Sequence, residues 1–353
     1  MIDYRKKTIT KGQQQLRCGY TTGTCAAAAA KAAAVALLTG EIYRDVAICL
    51  PGGENILLEA ETLEHQKNCV KCGVIKDAGD DPDITNGLMI CAAVEKNTSG
   101  EICIDGGEGV GRVTQPGLDQ PVGAAAINSV PRKMIQEAVE SVCRQYHYTE
   151  GLMVTISIPK GRETAEKTLN PMLGIVGGLS VLGTTGIVEP MSEKALIDTI
   201  AVDIRRHRAQ GEDILVMAPG NYGLDYLKAA CDIHSEQVIK ISNFVGDSID
   251  LAVCEGASGI VLAGHIGKLI KVAGGIMNTH SHQADARMEI LTAYAAVAGA
   301  DGETLRLVMK AVTTDAGMEI LQRCGLLSET MQLILGKIQA HVQKRAGSRV
   351  ETG

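Results

Sequence analysis

Residues 24–38 are almost wholly small and apolar, with five successive alanines at 26–30, then Lys31, then three more alanines. Alanine has the highest intrinsic helix propensity, so this stretch predicts a helix. Thr22 or Thr24 can cap its start and Gly40 lies just past its end. Short β-like runs follow at 46–50, 56–60, 88–94 and 101–105, some of them separated by Pro-Gly-Gly and Asn-Gly turns. A second helix is predicted over 131–146, with Pro131 near its first turn, and 152–158 alternates with the period of a strand. The polar residues 1–16 read as an arm or an edge strand. Together these elements predict an α+β domain over residues 1–165.

The pattern then changes. Strand-like runs at 174–182, 213–218, 237–241 and 259–263 alternate with helical patterns at 192–209, 224–231 and 245–254. That rhythm predicts a parallel sheet with helices on both faces, a Rossmann-like α/β domain over 166–353. From residue 283 onward the pattern is helical, broken at Gly299 and Gly325.

Composition narrows the function classes. The 353 residues are 45% hydrophobic and 21% charged, an ordinary globular balance. There is no Trp and one Phe, so the stacking surface of a single-strand nucleic-acid binder is not expected. A net charge of -7 offers no general field for polyanions, so an anionic ligand must be held by local clusters. No secretory h-region opens the chain, and no apolar run reaches the ~18 residues of a membrane span. With eleven cysteines, an odd number, the chain reads as a cytoplasmic protein with reduced thiols.

The stretch 173–191 carries the clearest chemical signal. Its β-branched run is interrupted by five glycines, Gly174, Gly177, Gly178, Gly183 and Gly186, with Thr184 and Thr185 between the last two. Further glycine turns follow strands at 220–223, where Gly220 precedes Asn221, and at 264–267, beside His265 and Lys268. In open α/β sheets ligands gather beyond the carboxyl ends of the strands, so three such turns on one edge would line a crevice. None carries the full dinucleotide fingerprint or a phosphate loop. A second anion-site candidate is Thr21, Thr22, Gly23 and Thr24, at the start of the alanine-rich helix.

Other residues support several readings. Asp77, Asp80, Asp81 and Asp83 crowd one turn, which suits proton transfer, a hard cation or plain turn chemistry. Cys69 and Cys72 form a C-x-x-C without a second pair, so no zinc site is expected. His265, His280 and His282 are loop histidines that can be bases, ligands or local hydrogen-bonding groups. Lys160 and Arg162 flank Gly161, and Lys268 follows Gly267; these are candidates for gripping carboxylates.

Several of these segments resemble one family in order along the chain. They are Arg17-Cys-Gly-Tyr-Thr-Thr-Gly-Thr-Cys-Ala-Ala-Ala-Ala-Ala-Lys31, Lys76-Asp-Ala-Gly-Asp-Asp-Pro-Asp-Ile-Thr85, Val130-Pro-Arg-Lys-Met134 and Thr168-Leu-Asn-Pro171. The 174–191 run, Gly264-His-Ile-Gly-Lys-Leu269, Gly275-Ile-Met-Asn-Thr-His-Ser281 and Ala284-Asp-Ala-Arg-Met-Glu289 complete the set. The pattern is similar to the cobalt-precorrin-5B C1-methyltransferase family of anaerobic cobalamin biosynthesis. Ile266, Met172 and the Ala124-Ala125 pair depart from it locally.

The resemblance implies S-adenosylmethionine as methyl donor and a tetrapyrrole substrate that carries its own cobalt, so no protein metal site is expected. It implies donor contacts at Gly177, Gly178, Gly183, Thr184, Thr185, Gly186, Gly220 and Asn221. Substrate carboxylates are expected at Thr21, Thr22, Gly23, Thr24, Lys160, Arg162, His265 and Lys268, with Asp77, Asp80 or Asp81 handling a proton. The expected partner is this small molecule, with no nucleic acid or membrane, and with a homo-oligomer allowed. The alternatives are a nicotinamide-dependent oxidoreductase and a non-catalytic tetrapyrrole or cobalt carrier.

Overall fold

A computed structural model describes residues 7–353 and divides the chain after Ser192. Each unit has its own hydrophobic core.

The first unit opens with a hairpin, β1 (Thr8–Lys11) and β2 (Gln14–Arg17), then β3 (Gly19–Tyr20) and helix α1 (Thr22–Thr39). The expected N-terminal arm is thus a hairpin from residue 8, while residues 1–6 lie outside the described residues. Strands β4 (Asp45–Cys49) and β5 (Asn55–Glu59) pair with each other. β6 (Glu61–His65), β7 (Cys69–Ile75), β8 (Met89–Asn97) and β9 (Ile102–Gly106) follow, then β10 (Arg112–Val113), α2 (Ser129–Gln145), β11 (Gly151–Ser157) and α3 (Gly161–Ala165). β12 (Ile175–Val176) and β13 (Ile187–Val188) complete the unit. The main sheet has the order β6-β7-β8-β11-β9, antiparallel except for the β11–β9 pair.

Helix α1 packs on α2, β7 and β8. The five alanines at 26–30 have no exposed surface. Small methyl side chains let a helix backbone lie close to its neighbours. By length and composition α1 would also pass for a membrane span, but most of it is buried inside the unit, as in a core helix.

The second unit, Glu193–Gly353, holds α4 (Glu193–Ala209), β14 (Ile214–Ala218), α5 (Asn221–Cys231), β15 (Val238–Lys240), α6 (Val245–Cys254), β16 (Gly259–Leu262) and α7 (Ile266–Ala273). Helices α8 (Arg287–Val297), α9 (Gly302–Met309), α10 (Thr314–Arg323) and α11 (Leu327–Ala346) lead to a short β17 (Glu351–Thr352). The sheet order is β15-β14-β16-β17 and every pairing is parallel, as the alternating pattern predicts. The last strand was not expected, because the tail reads as helix to its end.

Residues 166–192 differ from expectation. They pair with the first unit, not with the parallel sheet: β12 runs antiparallel to β10, and β13 antiparallel to β3. The predicted strand at 174–182 shrinks to two residues plus isolated bridges from Leu179 to Val110 and from Val181 to Ile127. An apolar β-branched run specifies extended backbone but not its partner, and here the partners lie upstream.

Candidate functional site

Thr21 holds the start of α1. Its side chain accepts from the Thr24 N–H at 3.2 Å, and the two hydroxyls lie 3.0 Å apart. The Thr24 hydroxyl donates to the Gly186 carbonyl at 2.6 Å, so the proton between the two threonines comes from Thr21. The Thr21 N–H also donates to Gly186, and the Gly23 N–H to the Leu182 carbonyl, both at 3.1 Å. The expected anion cradle is therefore already filled by the chain's own 182–186 loop. The Gly23 and Thr24 N–H groups both have protein acceptors, and Thr21, Thr22 and Thr24 are buried.

The same geometry explains the glycines. A Cβ on Gly183 would lie 2.4 Å from Thr21, and one on Gly186 would lie 2.6 Å from Leu50, both at positive φ. Gly23 could not carry a side chain against Pro131 at 2.7 Å. Thr184 and Thr185 remain exposed on the loop, and the Thr185 hydroxyl donates to the Ile187 carbonyl at 3.0 Å.

The acidic turn packs beside this loop. Asp77 takes a bidentate pair from the Arg17 guanidinium at 2.7 and 2.8 Å. That hydrogen-bonded carboxylate is the chief reason the Arg17 pKa is raised. Asp80 accepts from the Arg17 backbone N–H at 2.6 Å, and Asp81 from the Met191 N–H at 3.0 Å. Each candidate proton handler thus accepts a protein donor, and the turn clips β2 and residue 191 together. Lys76 ion-pairs with Asp83 and also bonds Thr85.

Gly177, Gly178, Lys160 and Arg162 lie apart from that cluster within the first unit. Gly178 and Gly161 both press on the Gly109 carbonyl, where a Cβ would come within 2.3 Å. The glycine string at 107–111 is thus a packing knot between backbones. Gly177 faces open space. Lys160 stands at φ 66°, and neither its side chain nor that of Arg162 has an ion pair among the described residues.

In the second unit the remaining candidates do meet. The turns after β14 and β16 touch: a Cβ on Gly264 would lie 2.8 Å from Pro219 Cγ. Lys268 on α7 reaches across to donate to the Pro219 carbonyl. Burial, then neighbouring Lys271, pushes the Lys268 ammonium below its ordinary pKa. His265 caps α7, its Nδ1 accepting from the Gly267 N–H at 3.1 Å, with its Nε2 3.5 Å from Asp315. Gly220 and Asn221 are exposed at the start of α5. The nearest atom to a Cβ on Gly220 would be Lys268 Nζ at 3.7 Å, which leaves room for a ligand to approach the backbone. Tyr222, 72% exposed, tilts against the His265 ring at 5.1 Å. In the sequence Tyr222 lies in the glycine turn 220–223, and one tyrosine there carries no signal of a ring contact.

The expected donor-binding set draws on both units. Gly183, Thr184, Thr185 and Gly186 belong to the first unit with Thr21 and Thr24, while Gly220 and Asn221 belong to the second with His265 and Lys268. Cys69 and Cys72 lie on β7, where the Cys72 thiol bonds Thr62. Among the described residues no three Cys, His, Asp or Glu side chains gather as a metal site.

Comparison with known proteins covers both units. Residues 9–190 match the family model CbiD, and residues 278–353 match the model for the CbiD C-terminal domain. The chain is 48% identical over 345 residues to cobalt-precorrin-5B C(1)-methyltransferase of Ruminiclostridium cellulolyticum, covering 97% of this chain and 90% of the relative. It is 43% identical over 335 residues to the protein of the same name in Salmonella typhimurium, covering 95% and 85%. A crystal structure of the cobalamin biosynthesis protein cbiD from Archaeoglobus fulgidus matches with 28% identity and a TM-score of 0.44, over 80% of this chain and 89% of that one. On the first family model and these curated relatives, the chain belongs to the CbiD family.

Proposed function

We propose that this chain methylates C1 of cobalt-precorrin-5B, with S-adenosylmethionine as the donor. The observation that carries this reading is similarity at 48% identity over 97% of the chain to a protein bearing that activity in its name. The cobalt belongs to the substrate.

The donor supplies an electrophilic methyl group on a sulfonium. Displacement at such a carbon calls for alignment of donor and acceptor rather than a covalent nucleophile. The second unit suits the donor: its parallel sheet presents the Pro219–Asn221 and Gly264–Lys268 turns at the carboxyl ends of β14 and β16, a Rossmann-like use of that edge. The exposed backbone at Gly220, beside Lys268, and the exposed Asn221 side chain would meet the donor. In the first unit the exposed Thr184 and Thr185, together with Lys160 and Arg162, offer hydroxyls and cations to substrate carboxylates. Thr21, Thr24, Asp77, Asp80 and Asp81 hold that surface in shape and need not touch the ring. Eleven free thiols suit a reducing, cytoplasmic setting.

The test is incubation of the full chain with methyl-labelled donor and cobalt-precorrin-5B. Label on the macrocycle supports the reading. Binding without transfer would favour a carrier, and label transfer is not expected of a nicotinamide oxidoreductase.

A further inference from the structure

One motif of the sequence remains without a role, Gly275-Ile-Met-Asn-Thr-His-Ser281. It runs against the turn between β15 and α6. The Thr279 N–H donates to the Asn243 carbonyl at 2.9 Å, the Gly246 N–H to the Met277 carbonyl at 3.1 Å, and Asn278 bridges to Phe244. The β15–α6 turn lies on the same sheet edge as the two turns already described, because β15, β14 and β16 are parallel neighbours.

Two buried polar groups on this edge are under-satisfied. Lys271, on α7 one turn beyond Lys268, is 3% exposed, and its ammonium donates to the Thr279 carbonyl at 3.1 Å. An ammonium has three protons to place, and no carboxylate lies within ion-pair distance of this one among the described residues. Thr279 is also 3% exposed, and its hydroxyl has no hydrogen-bond partner among the described residues. Asp285 nearby is engaged by Arg287 at 2.6 and 2.8 Å. Buried donors without acceptors are rare in folded proteins, because each carries the desolvation penalty without the compensating bond. Charges of both signs lie around it: Asp285 and Arg287 act on Lys271 in opposite directions, and Lys271 acts on Lys268.

We infer that Lys271 and the Thr279 hydroxyl form a seat for a carboxylate at the carboxyl edge of the parallel sheet, held in place by the 275–281 segment. A carboxylate fits because it is acceptor-only and has two oxygens, one for the ammonium and one for the hydroxyl. The inference rests on the methyltransferase reading, under which two ligands bring carboxylates: the amino-acid tail of the donor and the rim of the tetrapyrrole.

The test is titration calorimetry on the full chain with three probes. These are S-adenosylhomocysteine, 5′-methylthioadenosine (which lacks the amino-acid tail) and uroporphyrin III, a tetrapyrrole rimmed with carboxylates. The variants are Lys271→Met, which keeps the volume and removes the charge, and Thr279→Val, which removes only the hydroxyl. Loss of a charged hydrogen bond should weaken the seated ligand about 10- to 100-fold in Lys271→Met, with a smaller loss in Thr279→Val. Weakened S-adenosylhomocysteine with unchanged 5′-methylthioadenosine identifies the donor's tail as the occupant, and weakened uroporphyrin alone identifies the ring's rim. Equal weakening of both nucleosides, or wild-type affinities in both variants, overturns the seat and leaves water as the missing acceptor. Failure of the wild type to bind any probe would instead sink the methyltransferase reading, and the inference with it.

Discussion

The Thr24 hydroxyl donates to the Gly186 carbonyl at 2.6 Å, joining the first turn of α1 to a loop 162 residues later in the chain. The Thr21 N–H and side chain and the Leu182 carbonyl close the same junction. Both partners of this bond are buried.

The first prediction follows from that bond. Thr24→Val removes one of the two donors to the Gly186 carbonyl and strands the buried Thr21 hydroxyl proton, and should destabilise the first unit by about 1–3 kcal/mol. Gly186→Val should cost more, because φ is +83° and its Cβ would lie 2.6 Å from Leu50. For a unit of this size each kcal/mol lowers the melting temperature by about 2–4 °C. Calorimetric scans check this; unchanged transitions in both variants would show that the junction is dispensable. A loss of ligand binding in Gly183→Val or Gly186→Val therefore reports on folding before it reports on donor contact.

The Lys76–Asp83 pair gives a pH-dependent prediction. Lys76 is 3% exposed. Burial works against the Asp83 charge, but Lys76 and Thr85 outweigh it and hold the carboxyl below its ordinary pKa. A carboxyl depressed in the folded state stabilises above its unfolded pKa, and that contribution is lost as pH falls through the folded value. Asp83→Asn should destabilise by about 3–5 kcal/mol near neutral pH, because it strands a buried ammonium. The gap from wild type should narrow in acid. Denaturant titrations at both conditions measure it, and a gap independent of pH would contradict the assignment.

Thiol reactivity should follow burial. Burial pushes the Cys25 thiol up to about 12, and raises Cys18 in the same direction. Since the thiolate is the nucleophile, iodoacetamide at mildly alkaline pH should modify the exposed Cys49, Cys231, Cys254 and Cys324 long before either. Peptide mass spectrometry reads the order; early labelling of Cys25 would mean that α1 opens readily.

Lys268→Met should raise the donor KM about tenfold or more, the cost of a lost charged hydrogen bond near the ligand. It should also lower the melting temperature by a few degrees, because the buried Pro219 carbonyl loses that donor. Steady-state kinetics check this, and an unaltered KM would remove Lys268 from the site.

Local patterns made much of this legible. The alanine run, the cap at its start and Gly40 at its end all specify α1 without outside help. The alternation of runs from 213 to 263 specifies the parallel strands for the same reason. Partner choice is different. β6 carries Glu61, Glu64 and His65 at exposed positions and β7 carries a half-buried Lys71, which masks the apolar period. Residues 174–188 have ordinary strand chemistry, and only the upstream chain decides that β3 and β10 receive them. The acidic turn is similar: carboxylates suited to proton transfer are equally suited to Arg17 and to the Met191 N–H, and spacing does not distinguish the two.

The most direct measurement of the central claim is a crystal of the full chain soaked with S-adenosylhomocysteine. The account predicts density against Gly220 and Asn221, within reach of Lys268. Density against Thr184 and Gly186 in the first unit, with the second unit's sheet edge empty, would contradict it.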